Sequence, residues 1–231
     1  MTEEQQPPSL AEAAAAAARN SGLGKVAPGE TPTGSALLSA MGGIRGLVES
    51  IVPGLGFLVV YTITGNLFWS VAAPVTLAVL FVIIRVASRQ PWTSAAVGVL
   101  GVGLSAGVAL FTGQAKDNFL LGFGINAVFL VALLISFAVR WPLIGVIASL
   151  ITGEGQTWRE DKAKVRVAVI ATILWCGLFA IRLGVEVPLY LADNTQALAT
   201  LKLILGVPLY ALTLWVTWLL VRTAYARPKP E

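Results

Sequence analysis

Leu67 to Ser88 reads LFWSVAAPVTLAVLFVIIRVAS, and its single charged residue, Arg85, stands close to one end. As a helix rising 1.5 Å per residue, the stretch covers the roughly 30 Å hydrocarbon core of a bilayer. Arg85 is near enough to the edge for its long stem to carry the guanidinium out to the interface. Segments 44–64, 94–112, 119–139, 167–191 and 197–221 have the same character, giving six runs long enough to cross. The 231 residues are 56% hydrophobic and only 12% charged, with a mean hydropathy of +0.79. A soluble domain carries about a quarter charged residues. So much apolar surface cannot be hidden in one core while the outside stays solvated. The reading is an all-α, multi-pass membrane protein.

A further apolar run, Pro142 to Thr152, is too short to span. It reads as a re-entrant or interfacial helix with Pro142 at its first turn, where a missing N–H costs nothing. The expected architecture is therefore about six transmembrane helices in three hairpins plus this short helix. Basic residues fall at 88–92, 140–142 and 158–166, and again at Arg222, Arg227 and Lys229. The alternate turns at 64–66, 116–118 and 192–194 nearly lack them. The positive-inside rule places the first set, and both termini, in the cytoplasm. A seven-span arrangement would put Arg159–Arg166 outside, against that rule. Each outer turn ends in asparagine (Asn66, Asn118, Asn194), a favoured helix N-cap, so three capped hairpins are expected.

Residues 1–35 are acidic, then alanine-rich, then rich in Gly, Pro and Thr, and read as a disordered or partly helical cytosolic tail rather than a cleavable signal. Residues 36–225 form the membrane domain and 226–231 a short basic cytosolic tail. With no histidine and one cysteine, Cys176, the chain can form neither an internal disulfide nor a His/Cys metal site. No cofactor is expected. No cluster of five or six Lys/Arg suggests a nucleic-acid partner. The run GETPTGS (29–35) has phosphate-loop glycine spacing but lacks the lysine and any preceding strand. With no nucleophile–base pair or carboxylate dyad, an enzyme is not expected.

Four features inside the membrane carry more information. The span VGVLGVGLSAGVALF (97–111) has Gly103 and Gly107 in GxxxG spacing, which predicts close helix packing at the centre of the bundle. Trp69, Trp92, Trp141, Trp158, Tyr61, Tyr190 and Tyr225 fall near predicted interfaces and read as aromatic anchors. IRLGVEVPLY (181–190) places Arg182 and Glu186 deep in an apolar run, and IRGLVESIVP (44–53) repeats the pattern I-R-x-x-V-E. Glu186 lies eight residues before Asn194 and Lys202 eight after it, so a hairpin turning there brings both to about 12 Å from the turn. A buried charge costs about 2.5–3.5 kcal/mol on insertion scales unless it is paired or lines a cavity. A polar cluster of Arg182, Glu186 and Lys202 is expected, with Asn126 a further polar candidate for the interior. Pro53, Pro188 and Pro208 each free a carbonyl one turn back, and no transporter-like repeat of broken helices is evident. The cluster is either a satisfied network fixing helix register or the lining of a cavity for an ion, proton or small anion.

GLGKVAPGETPTG, IRGLVE, RWPLIG, AIRLGVEVPLYLADN and LKLILG make the chain resemble an actinobacterial integral-membrane family, domain of unknown function family 3159, over about residues 20–225. Pro53, Tyr61, Arg140 with Pro142-Leu143-Ile144, Trp158, Lys202 and Gly206 are also similar to motif positions of the bacterial intracellular septation protein A family. GEGQT stands here where that family has a Leu-Pro stretch before the tryptophan. The second resemblance implies a bacterial plasma-membrane protein linked to cell-envelope synthesis and division. It points to a non-enzymatic scaffold or assembly factor whose partners are the bilayer, envelope or division proteins and a second copy of the chain. Arg159, Lys162, Lys164 and Arg166 are the candidate cytosolic docking residues. The alternative is a small transporter or channel built on the Arg/Glu/Lys cluster.

Overall fold

The computed structural model describes residues 43–89, 93–152 and 155–225, and every regular element among them is helical. The tail expected over 1–35, the basic tail at 226–231 and Trp92 lie outside the described residues. In chain order the helices are α1 (Gly43–Thr64), α2 (Leu67–Ala87), α3 (Thr93–Thr112), a 3-10 turn (Ala115–Phe119), α4 (Leu120–Ala138), α5 (Leu143–Thr152), a second 3-10 turn (Thr157–Arg159), α6 (Lys162–Leu191), α7 (Thr195–Ile204) and α8 (Val207–Tyr225). Five stretches are long and apolar enough to cross a membrane: Gly43–Thr64, Leu67–Ala87, Ala115–Ala138, Lys162–Leu191 and Thr195–Ala224. The sixth expected span, α3, is a shorter apolar helix over Ala96–Thr112. Large apolar side chains such as Ile63, Leu104, Phe111, Val128 and Ile173 point outward. So much outward apolar surface is stable in lipid and not in water.

The chain forms two compact units, residues 45–134 with 175–214, and the described parts of 1–44, 135–174 and 215–231. In the second of these, α5 and the start of α6 pack through Gly145. A Cβ there would lie 2.6 Å from Cβ of Ala168 and 2.7 Å from the Trp158 ring, so only glycine fits without a shift. Trp158 is buried in this contact, which corrects its reading as an interfacial anchor. The N–H of Leu143 donates to Oγ of Ser136 at 3.2 Å and that of Ile144 to Oγ1 of Thr172 at 3.3 Å. The free donors at the start of α5 are satisfied in this way.

The larger unit has a core of Phe57, Val71, Ala106, Ala109, Phe119, Phe123 and Leu198. The packed side of α3 is the one bearing Ala106 and Ala109. Gly98, Gly103 and Gly107 are exposed, and a Cβ at any of them would meet nothing within 4 Å. The GxxxG ridge therefore does not pack within this unit, contrary to its reading as a central contact. At 100° per residue, Gly103 and Gly107 lie across the helix from Ala109.

The turns at one end explain the hairpins. Gly65 reverses the chain at φ +57, and Asn66 then caps α2, its Oδ1 accepting from the Trp69 N–H at 3.3 Å. Asn194 caps α7, accepting from the Ala197 N–H at 3.0 Å. Asn118 caps nothing, because it lies inside the 3-10 turn that precedes α4. That turn touches α2, α3 and α7, which gathers the three reversals together. There Lys116 forms an ion pair with Asp193 and sits 4.8 Å from the Tyr190 ring centre. The Tyr190 hydroxyl donates to the buried Asp117 carboxylate at 2.7 Å.

The last expected span, 197–221, is interrupted. Leu205 and Gly206 form a turn between α7 and α8. Pro208 has no N–H to offer the Ile204 carbonyl. A Cβ on Gly206 would lie 2.7 Å from the Lys202 carbonyl oxygen, so the turn admits only glycine in this geometry. The carbonyl freed by Pro208 thus lies at a real break in the helix.

Candidate functional site

The two I-R-x-x-V-E copies both place an arginine one helical turn before a glutamate, and both make the i,i+4 pair that this spacing allows. In α1, Arg45 Nε lies 3.0 Å from Glu49 Oε1. Arg85, in the last turn of α2, adds a fork: Nη2 is 2.7 Å and Nε 2.9 Å from Glu49 Oε2. Arg85, read as a snorkelling residue, and Arg45 converge on one carboxylate. In α6, Arg182 Nε lies 3.3 Å from Glu186 Oε1, with Glu186 fully buried at 0% exposure and Arg182 at 7%. This pair is close but poorly aligned. Among the described residues, neither Glu186 oxygen nor Arg182 Nε has a hydrogen-bond partner.

Lys202 comes from α7, two residues before the helix ends. It lies within electrostatic reach of Arg182 and Glu186. Among the described residues it forms no ion pair with a carboxylate. Its ammonium stands 4.4 Å from the Phe119 ring centre, and a Cβ on Gly122 would lie 3.1 Å from it. Arg182 likewise stands over an aromatic face, 5.2 Å from the Tyr210 ring centre. A cation on an aromatic face gains about 0.5–2 kcal/mol, less than a carboxylate gives in the same place.

Asn126 on α4 is buried, and its Nδ2 has no hydrogen-bond partner among the described residues. Its depth follows from two aromatic contacts between α4 and α6: Phe123 meets Tyr190 at 5.6 Å and Phe129 stacks on Phe179 at 5.5 Å. Asn126 is midway between the two α4 rings, and Glu186 is near the middle of the α6 interval. A donor and an acceptor, neither with a hydrogen-bond partner among the described residues, therefore share one level of the larger unit.

Beside this level lies a cavity of about 360 Å³. Its polar lining is Arg182, Lys202, Tyr210, Asn118, Ser50 and Ser105. Apolar lining comes from Ile51, Phe57, Val102, Phe119, Leu203 and Val207, among others. Among the described residues no acidic one lines it; Glu186 stands behind Arg182. The site can therefore hold negative charge. Sequence reading did not single out Ser50, Ser105, Phe119 or Tyr210 for this site. Buried Pro74, which also lines the cavity, carried a signal of the same kind as Pro53, a helix-breaking residue inside an otherwise regular span. The basic residues of 159–166 belong to the other unit, where Arg159, Lys162 and Arg166 are exposed and Arg159 lies 4.2 Å from the Trp141 ring centre.

Fold and composition define an all-α membrane protein with multiple candidate spans. Residues 41–228 match the family described as Protein of unknown function (DUF3159), and the chain belongs to that family. No curated protein and no solved structure matches it.

Proposed function

We propose that the chain is a small transporter or channel of the bacterial plasma membrane, with both termini cytosolic, and that the cavity beside Arg182 and Lys202 is its solute site. The observation that carries this reading is a cavity among apolar helices lined by two basic side chains and, among the described residues, no carboxylate. Charges at this depth normally pair with one another or face a path for solute, and Lys202 has no acidic partner among the described residues. The test is flux in proteoliposomes over a panel of small anions and cations. Anion flux that Lys202→Met abolishes, with the helical signal and monodispersity retained, supports the reading. Absence of any flux, or flux indifferent to Lys202→Met, overturns it.

The scaffold reading keeps one specific support, the exposed basic residues Arg159, Lys162 and Arg166. Crosslinking from this stretch in cells would recover an envelope or division protein if the chain works that way. Charge reversal of the three residues would then abolish the crosslink while leaving flux unchanged.

A further inference from the structure

We propose that the cavity takes an amphiphilic monoanion, with a singly charged oxyanion head held between Lys202 and Arg182 and an apolar body lying against Ile51, Phe57, Val102 and Leu203. This rests on the reading of the cavity as a solute site and names the class of solute.

The head follows from charge and hydrogen bonding. Two basic side chains, Arg182 and Lys202, stand against one acidic side chain, Glu186, so the group has one basic residue in excess. The neighbouring acids are already engaged: Glu49, next to Ser50, is held by Arg45 and Arg85, and Asp117, next to Asn118, takes the Tyr190 hydroxyl. Arg182 Nε is buried without a hydrogen-bond partner among the described residues, and Lys202 rests on an aromatic face. That Nε faces Glu186 Oε1 at 3.3 Å, so the cation left beside the cavity without an ion pair to a carboxylate among the described residues is Lys202, whose ammonium suits a bound acceptor. A guanidinium with an ammonium suits a carboxylate or a phosphate diester oxygen.

The body follows from volume and lining. About 360 Å³ is many times the roughly 30 Å³ that one water occupies in the liquid. It falls in the range of about 300–1,000 Å³ typical of organic-ligand pockets. A chloride or inorganic phosphate would sit at Lys202 and leave the apolar remainder unfilled. Phe57, Val102 and Leu203 offer no hydrogen bond to a second polar group, which excludes a sugar or a dianion from that part of the cavity.

The full chain in nanodiscs of phosphatidylcholine alone would be titrated with decanoate below its micellar concentration, following tryptophan fluorescence. Decyltrimethylammonium, chloride and inorganic phosphate serve as comparisons. Saturable decanoate binding is expected, weakened at least about tenfold (~1.4 kcal/mol) by Lys202→Met. Lys202→Arg keeps the charge and should retain binding. Gly122→Ala, whose Cβ would crowd the ammonium, should weaken it in an otherwise folded protein. Phosphatidylglycerol that competes with decanoate assigns the head to a lipid, and indifference to it assigns the head to a soluble acid; either supports the class. Equal binding of the cationic analogue, or decanoate binding unaffected by Lys202→Met, overturns the proposal. Inorganic-anion flux with no decanoate binding also overturns it and leaves the transport reading standing. Binding without flux does the reverse.

Discussion

Replacing Arg85 by methionine should destabilise the fold by about 2–3 kcal/mol, and the reasoning comes from the geometry around Glu49. Three contacts join the two side chains: Nη2 to Oε2 at 2.7 Å, Nε to Oε2 at 2.9 Å and Nε to Oε1 at 3.2 Å. They link α1 to α2 across 36 positions of sequence, and both side chains are largely buried, at 13% and 12% exposure. Hydrogen bonds to charged groups contribute about 1.5–3 kcal/mol each in isolation, and forks are not additive. Orphaning a buried charge outright costs about 3–5 kcal/mol, but Arg45 still holds Oε1 at 3.0 Å, which lowers the figure. Arg45→Met removes a more exposed contact and should cost at most about 1 kcal/mol. Arg85→Lys keeps a point charge without the fork and should fall between the two. Unfolding in mixed micelles, followed by tryptophan fluorescence, orders the three variants. Equal losses for Arg45→Met and Arg85→Met, or no loss for either, would refute the claim that the fork fixes α1 against α2.

Tyr190→Phe removes the hydroxyl that serves the buried Asp117 carboxylate and should cost about 1–3 kcal/mol, read in the same unfolding assay. Gly145→Ala forces a Cβ to within 2.6 Å of Ala168 and should cost about 1–3 kcal/mol. Gly103→Ala and Gly107→Ala meet open space and should leave stability within about 0.5 kcal/mol, or raise it. Losing the α7 cap in Asn194→Ala should cost about 1 kcal/mol; Asn118→Ala loses no cap and should leave α4 intact by helical signal.

These contrasts also mark how far sequence reading reaches. Span positions are legible because lipid requires length and continuous apolarity, which the chain states directly. Two caps are legible because Asn66 and Asn194 act on their own next turn. Facing is harder. The Gly103–Gly107 spacing says where a neighbour could approach and not where one does, and Ala106 and Ala109 carry the buried side. The placement of Lys202 assumed two straight antiparallel helices about Asn194. Instead α7 stops at Ile204, and the ammonium meets Phe119 and Gly122, whose proximity depends on a 3-10 turn before α4. Pro208 was visible as a freed carbonyl; the close approach of Gly206 to the Lys202 carbonyl was not, because it depends on the turn itself.

The repeated I-R-x-x-V-E motif shows what decides between a structural pair and a site. Both copies satisfy the local rule, an arginine and a glutamate one turn apart on a helix. In the first copy a third residue, Arg85, supplies a fork from α2. In the second the nearby third residue is Lys202, whose ammonium rests on Phe119 and forms no ion pair with Glu186. Desolvating three charges while leaving Glu186 without a hydrogen bond costs stability that a fork like Arg85's would have recovered. Packing apolar residues in the same place would serve a purely structural joint at least as well. On the proposed reading, a cluster that is deeply buried, imperfectly satisfied and set beside a cavity serves what enters the cavity rather than the fold.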